Sequence, residues 1–150
     1  MRTVIQRVSE ASVKIEGKVV GQIDHGLMIL LGIEHDDDQT DADWLIQKII
    51  GLRIFSDEVG KMNLSISEVG GRFLVVSQFT LHASTKKGNR PSYIKAARPE
   101  HAIPLYEYVV QQLSVQSGIS VETGEFGADM KVSLVNDGPV TILIDSKNKE

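Results

Sequence analysis

Two short stretches of the chain hold polar groups where an apolar pattern should continue. Ser77-Gln78-Phe79-Thr80-Leu81 follows the apolar run Phe73–Val76, and the carboxyl end of a strand is where open sheets place ligands. A hydroxyl there, Ser77 or Thr80, is a candidate nucleophile with His82 as its base. The competing reading is a strand end whose hydroxyls serve nearby backbone groups. The order Ser-Gln-Phe-Thr also lacks the GxSxG elbow of the α/β-hydrolases. The second stretch is Asn136-Asp137-Gly138-Pro139-Val140-Thr141. Asp-Gly suits a hairpin turn, but the proline removes the first ladder donor of the strand that follows. A further constraint must act at that position. X-Pro bonds are cis in only about 5 to 6% of folded cases, so the dipeptide alone does not imply a cis bond.

Charge singles out a third segment. Lys86, Lys87, Arg90, Lys95 and Arg98 fall within Lys86–Arg98, which has no Asp or Glu, on a chain of net charge -4. The remainder carries 11 basic against 20 acidic residues, or -9. This basic island reads either as a solvated loop or as a binding surface for phosphates. The run Glu34-His35-Asp36-Asp37-Asp38 lacks the glycine and distal glutamate of a calcium loop and reads as a solvated acidic loop ahead of a helix. His25, His35, His82 and His101 stand at no ligand spacing, so no metal and no cofactor are assigned. There is no Walker loop and no GxGxxG. Absence of cysteine excludes disulfides, thiol nucleophiles and zinc ribbons.

The elements that must position these groups follow from periodicity. The chain has 150 residues, 41% hydrophobic and 24% charged, which is the size of one domain. The apolar stretch Gly26–Ile33 is too short to span a bilayer, and Arg2, Arg7 and Glu10 occupy the place of a signal-peptide core. The expected location is cytoplasmic. Alternation predicts strands over Thr3–Glu10, Ala11–Ile15, Lys18–Ile23 and Leu27–Ile33, the last covered on both faces. Thr40 and Asp43 suggest the start of a helix over Asp41–Leu52 with a Leu45, Ile46, Ile49, Ile50 stripe. Strands Arg53–Phe55 and Arg72–Gln78 follow, then a loop from Phe79 to Arg98 long enough to be a functional candidate. Tyr106, Val109, Val110 and Leu113 place a second helix over Pro99–Ser117, stopped by Gly118. Val121–Gly124, Met130–Leu134 and Val140–Ile144 complete the strands, and Ser146–Glu150 reads as a frayed tail. The expected fold is a single α/β domain over 1–150, layered β/β/α, with mixed or antiparallel sheets and two main helices.

Taken together, Ser77-Gln78-Phe79-Thr80-Leu81, Lys87-Gly88-Asn89-Arg90-Pro91-Ser92-Tyr93, and Phe126-Gly127-Ala128-Asp129-Met130 leading to Asn136–Thr141 resemble D-aminoacyl-tRNA deacylase, the D-tyrosyl-tRNA deacylase family. Order, spacing and total length agree over the whole chain. Tyr93 departs from the Phe expected in many relatives, and the Phe79 form of the first motif resembles the strictly D-specific branch.

The resemblance implies a homodimer with two sites at the subunit interface, acting on D-aminoacyl-tRNA with no DNA or membrane partner. It implies cleavage of the ester between a D-amino acid and the 3′-terminal adenosine, and extends to glycyl-tRNA. The Gly138-Pro139 bond would be cis, its carbonyls facing the substrate ammonium in the partner's pocket, with Arg7 holding the dipeptide. Ser77, Gln78, Phe79 and Thr80 would form the floor and the backbone donors, and Phe126 and Met130 would wall the adenosine. Lys86, Lys87 and Arg90 are the candidates for binding tRNA. Water would attack with help from the ribose 2′-hydroxyl. Two rival classes stand beside this: a Ser/Thr-nucleophile esterase, which would form an acyl-enzyme, and an RNA-binding module that binds without turnover.

Overall fold

Fourteen residues, Arg2–Ile15, form one continuous strand, β1, in a computed structural model that describes residues 1–150. The expected break near Glu10 is absent. Instead β1 pairs antiparallel with β3 (Gly26–Gly32) over Arg2–Val8, and with β2 (Lys18–Ile23) over Ala11–Ile15. Its register against β8 (Lys131–Asp145) shifts between Gln6 and Val8 and again between Val8 and Glu10. Each irregularity changes which side chains face inward, so the period-two pattern loses phase while the strand goes on.

β8 is also one strand where two were expected. It runs antiparallel beside β1 from Lys14↔Lys131 to Arg2↔Asp145, and the hairpin anticipated at Asp137-Gly138 does not form. Between the Val8↔Asn136 and Gln6↔Thr141 pairs, Asp137–Val140 leave the ladder as an excursion opposite Arg7. The donor that Pro139 lacks is therefore never needed, because the proline sits outside the pairing. The excursion is closed at its base by Asn136, whose Oδ1 accepts from Val140 N–H at 2.8 Å and whose Nδ2 donates to Thr141 Oγ1 at 3.0 Å.

The sheet order is β2-β1-β3-β6-β7 with β8 on β1. β6 (Arg72–Ser77) and β7 (Val121–Thr123) extend β3 in parallel, so the sheet is mixed as expected. The β3 to β6 connection carries helix α1 (Gln39–Gly51) and a small hairpin, β4 (Phe55–Ser56) with β5 (Met62–Leu64). The β6 to β7 connection carries helix α2 (Pro99–Ser117). Leu45, Ile46 and Ile49 of α1 and Ala102, Tyr106, Val109 and Leu113 of α2 bury one sheet face with Leu27, Ile29, Phe73 and Val75. Met28, Leu74 and Val76 face the other way, covered by Val8, Ala11, Val13 and Ile23 with Val132 and Leu134. This is the β/β/α layering, made by folding one half of the strand system over the other.

α2 has the expected bounds: Pro99 stands at its first turn, where a missing N–H costs nothing, and Gly118 ends it with φ 71. α1 starts earlier than Thr40 and Asp43 suggest. Asp38 is the N-cap, accepting from Thr40 N–H and Asp41 N–H, while Asp41 returns a bond to Asp38 N–H at 3.0 Å. The acidic run is not wholly solvated either. Asp37 is only 1% exposed and pairs at 2.5 Å with the Met1 ammonium, itself buried. The tail is likewise anchored: Ser146 is buried and accepts from that ammonium, and Lys147 Nζ reaches Asp41 Oδ2 at 2.9 Å. An ammonium and a carboxylate taken out of water must pair, and this segment supplies the remaining partners. No helix is long and apolar enough to cross a membrane.

Candidate active site

β6 is apolar and buried from Phe73 through Val76, and the buried pattern stops at Ser77. Gln78 still donates its N–H to Leu31 O of β3 at 2.8 Å, but φ -146 and ψ 81 take the chain out of the sheet into a 3-10 turn over Phe79–His82. The first internal bond of that turn runs from Leu81 N–H to Gln78 O at 3.2 Å. The N–H groups of Phe79 and Thr80 precede it, as the leading donors of any helical turn do. Gln78 Nε2 donates to Thr80 Oγ1, which fixes both polar side chains across the turn.

His82 does not serve either hydroxyl. Its ring is 2% exposed, and neither nitrogen makes a hydrogen bond. Glu34 Oε2 lies 3.4 Å from Nδ1, in poor alignment for hydrogen bonding. The ring lies against Gly32, where a β-carbon would stand 3.1 Å from Cδ2. A nucleophile and base in register would be hydrogen bonded or nearly so, and here the base is turned into the core.

Ser77, Gln78 and Phe79 line a cavity of about 310 Å³ whose opposite wall is Phe126–Met130, with Leu31, Ile33 and Ala102 beneath. Phe126 is held edge-on by Tyr106, with centroids 5.8 Å apart at 60°. Tyr106 in turn donates its hydroxyl to Val75 O at 3.1 Å, and burial pushes that phenol up to about 12, so it stays a donor. Sequence periodicity marks Tyr106 only as core, and no motif reveals its hold on Phe126. A larger depression, about 810 Å³, opens between α1 and β8, lined by Trp44, Leu143 and Lys149 among others. It contains Leu81 but neither Ser77–Thr80 nor Phe126–Met130, so chemistry favours the smaller cavity.

Phe79 is 54% exposed at the cavity rim and meets Tyr93 edge to face, 5.1 Å apart at 72°. Tyr93 directly follows a two-residue bridge in which Ser84 and Ser92 exchange backbone bonds of 2.8 and 2.9 Å. That bridge closes an arm carrying Lys86, Lys87 and Arg90, all exposed and none in an ion pair.

The remaining candidates stand apart. Gly138 and Pro139 are exposed, joined by a cis peptide bond, and do not line the cavity of their own chain. Gly138 has φ +144, a value that L side chains rarely adopt. Arg7 grips the excursion that contains them: Nε donates to Asp137 O at 2.8 Å and Nη1 to Ile54 O at 2.6 Å, while a β-carbon on Gly138 would come 3.0 Å from Nη2. Within one chain the fold thus unites Ser77, Gln78 and Phe79 with Phe126 and Met130, sets Thr80 in the adjoining turn, and holds Gly138, Pro139 and Arg7 as a separate projection.

Known proteins resemble this chain in sequence and in fold. The family model described as D-Tyr-tRNA(Tyr) deacylase matches residues 4–145. A D-aminoacyl-tRNA deacylase of Phocaeicola vulgatus is 68% identical over 150 residues, covering 100% of both chains. Its counterpart from Flavobacterium psychrophilum is 64% identical with the same coverage. A solved structure described as the c-Myc DNA Unwinding Element Binding Protein superposes with a TM-score of 0.91 at 38% identity, over 97% of this chain and 98% of that one. A second, titled as a probable eukaryotic D-amino acid tRNA deacylase, shares the fold with a TM-score of 0.83 at 15% identity, over 95% and 97%. With that family model matched over residues 4–145 and relatives 68% and 64% identical over the full length, the chain belongs to the D-Tyr-tRNA(Tyr) deacylase family.

Proposed function

We propose that the protein hydrolyses the ester of D-aminoacyl-tRNA to the free D-amino acid and tRNA. Membership of the family over the full chain supports this, and the observation that carries it is the cavity joining Ser77–Phe79 to Phe126–Met130. In this reading the terminal adenosine lies against Phe126 and Met130, and the ester carbonyl faces the Phe79 and Thr80 N–H groups. Water attacks the carbonyl carbon, the oxyanion is held by those donors, the bond to the ribose oxygen breaks, and that oxygen takes up a proton. An activated ester needs little more than a placed water and preorganised donors. The ribose 2′-hydroxyl supplies the polar group that positions the water, since His82 faces away.

The Gly138-Pro139 projection serves the cavity of a second copy in a homodimer. Arg7 fixes its direction, and its carbonyls accept from the substrate ammonium. With the ammonium and ester both fixed, an L side chain collides with the wall and a D side chain points outward. Discrimination by exclusion leaves glycine, which has no side chain, as a substrate. Lys86, Lys87 and Arg90 meet tRNA phosphates. The cytoplasm, where aminoacyl-tRNA is used, is the location this implies.

Incubating purified protein with D-tyrosyl-tRNA and following ester loss tests the reading. Multiple turnovers without a burst support it. A stoichiometric burst and a trappable acyl-enzyme would select the Ser/Thr nucleophile, and tight binding without turnover would select an RNA-binding module.

A further inference from the structure

We infer that Tyr93 is a positioning residue for deacylation, acting through the ring of Phe79; the inference rests on the activity proposed above. Phe79 is the most awkward residue of the cavity. It begins a four-residue turn, and more than half of it is exposed, so the cavity wall alone does not hold its ring. Tyr93 supplies the missing side, edge to face at 5.1 Å.

Tyr93 is itself fixed from both directions. On one side is the Ser84↔Ser92 bridge. On the other, Tyr93 O accepts from Ala96 N–H at 3.0 Å, Ala96 bridges Glu34, and Ala97 N–H donates to Ile33 O at 2.9 Å. Ile33 also lines the cavity. The segment that carries Tyr93 is therefore tied, through Ala96 and Ala97, to the residues just after β3, the strand beside β6, and the Tyr93 ring meets the turn that leaves β6. An edge-to-face aromatic pair adds an orientation preference to simple burial and so favours one setting of the ring. Because Phe79 and Thr80 are successive residues of one short turn, the pair also fixes the direction of the backbone donors that face the ester.

The same bridge carries the cationic arm, yet the two roles separate. The cations act on RNA phosphates and hence on binding. The Tyr93 ring acts on alignment and hence on the chemical step.

The test compares D-tyrosyl-tRNA with D-tyrosyl-adenosine, an ester lacking RNA phosphates, for the wild type, Tyr93→Phe, Tyr93→Leu, Tyr93→Ala and the Lys86→Glu/Lys87→Glu pair, with a thermal melt of each. Tyr93→Phe keeps kcat within about twofold on both esters, because the ring pair survives. Tyr93→Leu and Tyr93→Ala lower kcat by roughly threefold to tenfold on both, with KM little changed. The lysine pair shows the opposite split, raising KM on the tRNA alone. Tyr93 is itself 40% exposed, so its truncation opens no core cavity, and Tyr93→Leu retains apolar bulk if alanine proves too severe. Unchanged kcat in both truncations, a loss confined to KM on tRNA, or a Tyr93→Phe defect as large as that of alanine would each overturn the inference while leaving the deacylase intact. A wild type that hydrolyses neither ester would overturn the deacylase reading and this inference with it.

Discussion

Thr80 has the look of a nucleophile and the surroundings of a bystander. Its Oγ1 accepts from Gln78, and no base addresses it. Thr80→Ala is accordingly expected to keep kcat on D-tyrosyl-tRNA within about tenfold of wild type, whereas a substrate ending in 2′-deoxyadenosine should react on the order of a hundredfold more slowly, the scale on which a misplaced reactant costs rate. Single-turnover rates decide it: abolished chemistry in a folded Thr80→Ala protein would return the hydroxyl to the mechanism. Under the proposed function, Lys86 and Lys87 act in binding. Removing one cation from a phosphate should flatten the salt dependence of tRNA affinity by roughly 0.7 to 0.9 log units per log unit of salt, so filter binding of Lys86→Glu/Lys87→Glu across a salt series should give a shallower slope than wild type. An unchanged slope would make the arm a solvated loop. These residues are legible because each breaks a local pattern, a polar end on an apolar strand or cations on an acidic chain. Tyr106 is not, since a helix stripe reports burial and is silent on which ring a tyrosine presses.

At the level of elements, the acidic segment before α1 shows how far pattern reading reaches. The apolar stripe announces a helix there, but residue spacing points to a cap at Thr40 where Asp38 provides it, and it does not reveal Asp41 as the return half of a capping box. Asp41 also anchors the C-terminal segment through Lys147. Burial works against its charge, yet hydrogen bonds from Ser146, Lys147 and Asp38 hold its carboxyl at about 2, below the ordinary 3.8. A carboxyl lowered in the folded state adds stability above its unfolded pKa and loses it as pH falls through the folded one. Asp41→Asn should therefore cost about 1 to 2 kcal/mol at pH 7, and the gap from wild type should close between about pH 4 and pH 2. Urea unfolding at three pH values would show this, and a gap independent of pH would mean that the amide loses packing instead of charge. The strands are harder to read. β1 and β8 look like two segments each because phase shifts at Gln6–Glu10 and the excursion at Asp137–Val140 mimic strand ends, and only the partner strand reveals that pairing resumes.

At the scale of the whole molecule, the proposed dimer would bring together the cavity and the projection that one chain holds apart. Motif order over the full length makes the family legible from the sequence, but the separation between the cavity and the Gly138-Pro139 projection is visible only in three dimensions. A dimer of twice 16.5 kDa should sediment as the active species, and complementation should follow from its symmetry. Gly138→Val distorts the projection, because φ +144 excludes a β-branched side chain, while Phe126→Ala with Gln78→Ala empties the cavity wall. Each variant alone should be nearly inactive. Mixed after dissociation and reassociation, they should recover roughly one quarter of wild-type activity, since half the dimers are hetero and each rebuilds one of two sites. No recovery, with mixed dimers demonstrated by mass spectrometry, would place each site within one chain. The proposed function stands on chirality. The direct measurement is the rate of ester loss from D-tyrosyl-tRNA and from L-tyrosyl-tRNA, at equal concentration with the same protein preparation: the D ester should disappear over many turnovers while the L ester decays no faster than in buffer, and comparable enzymatic rates on the two would contradict it.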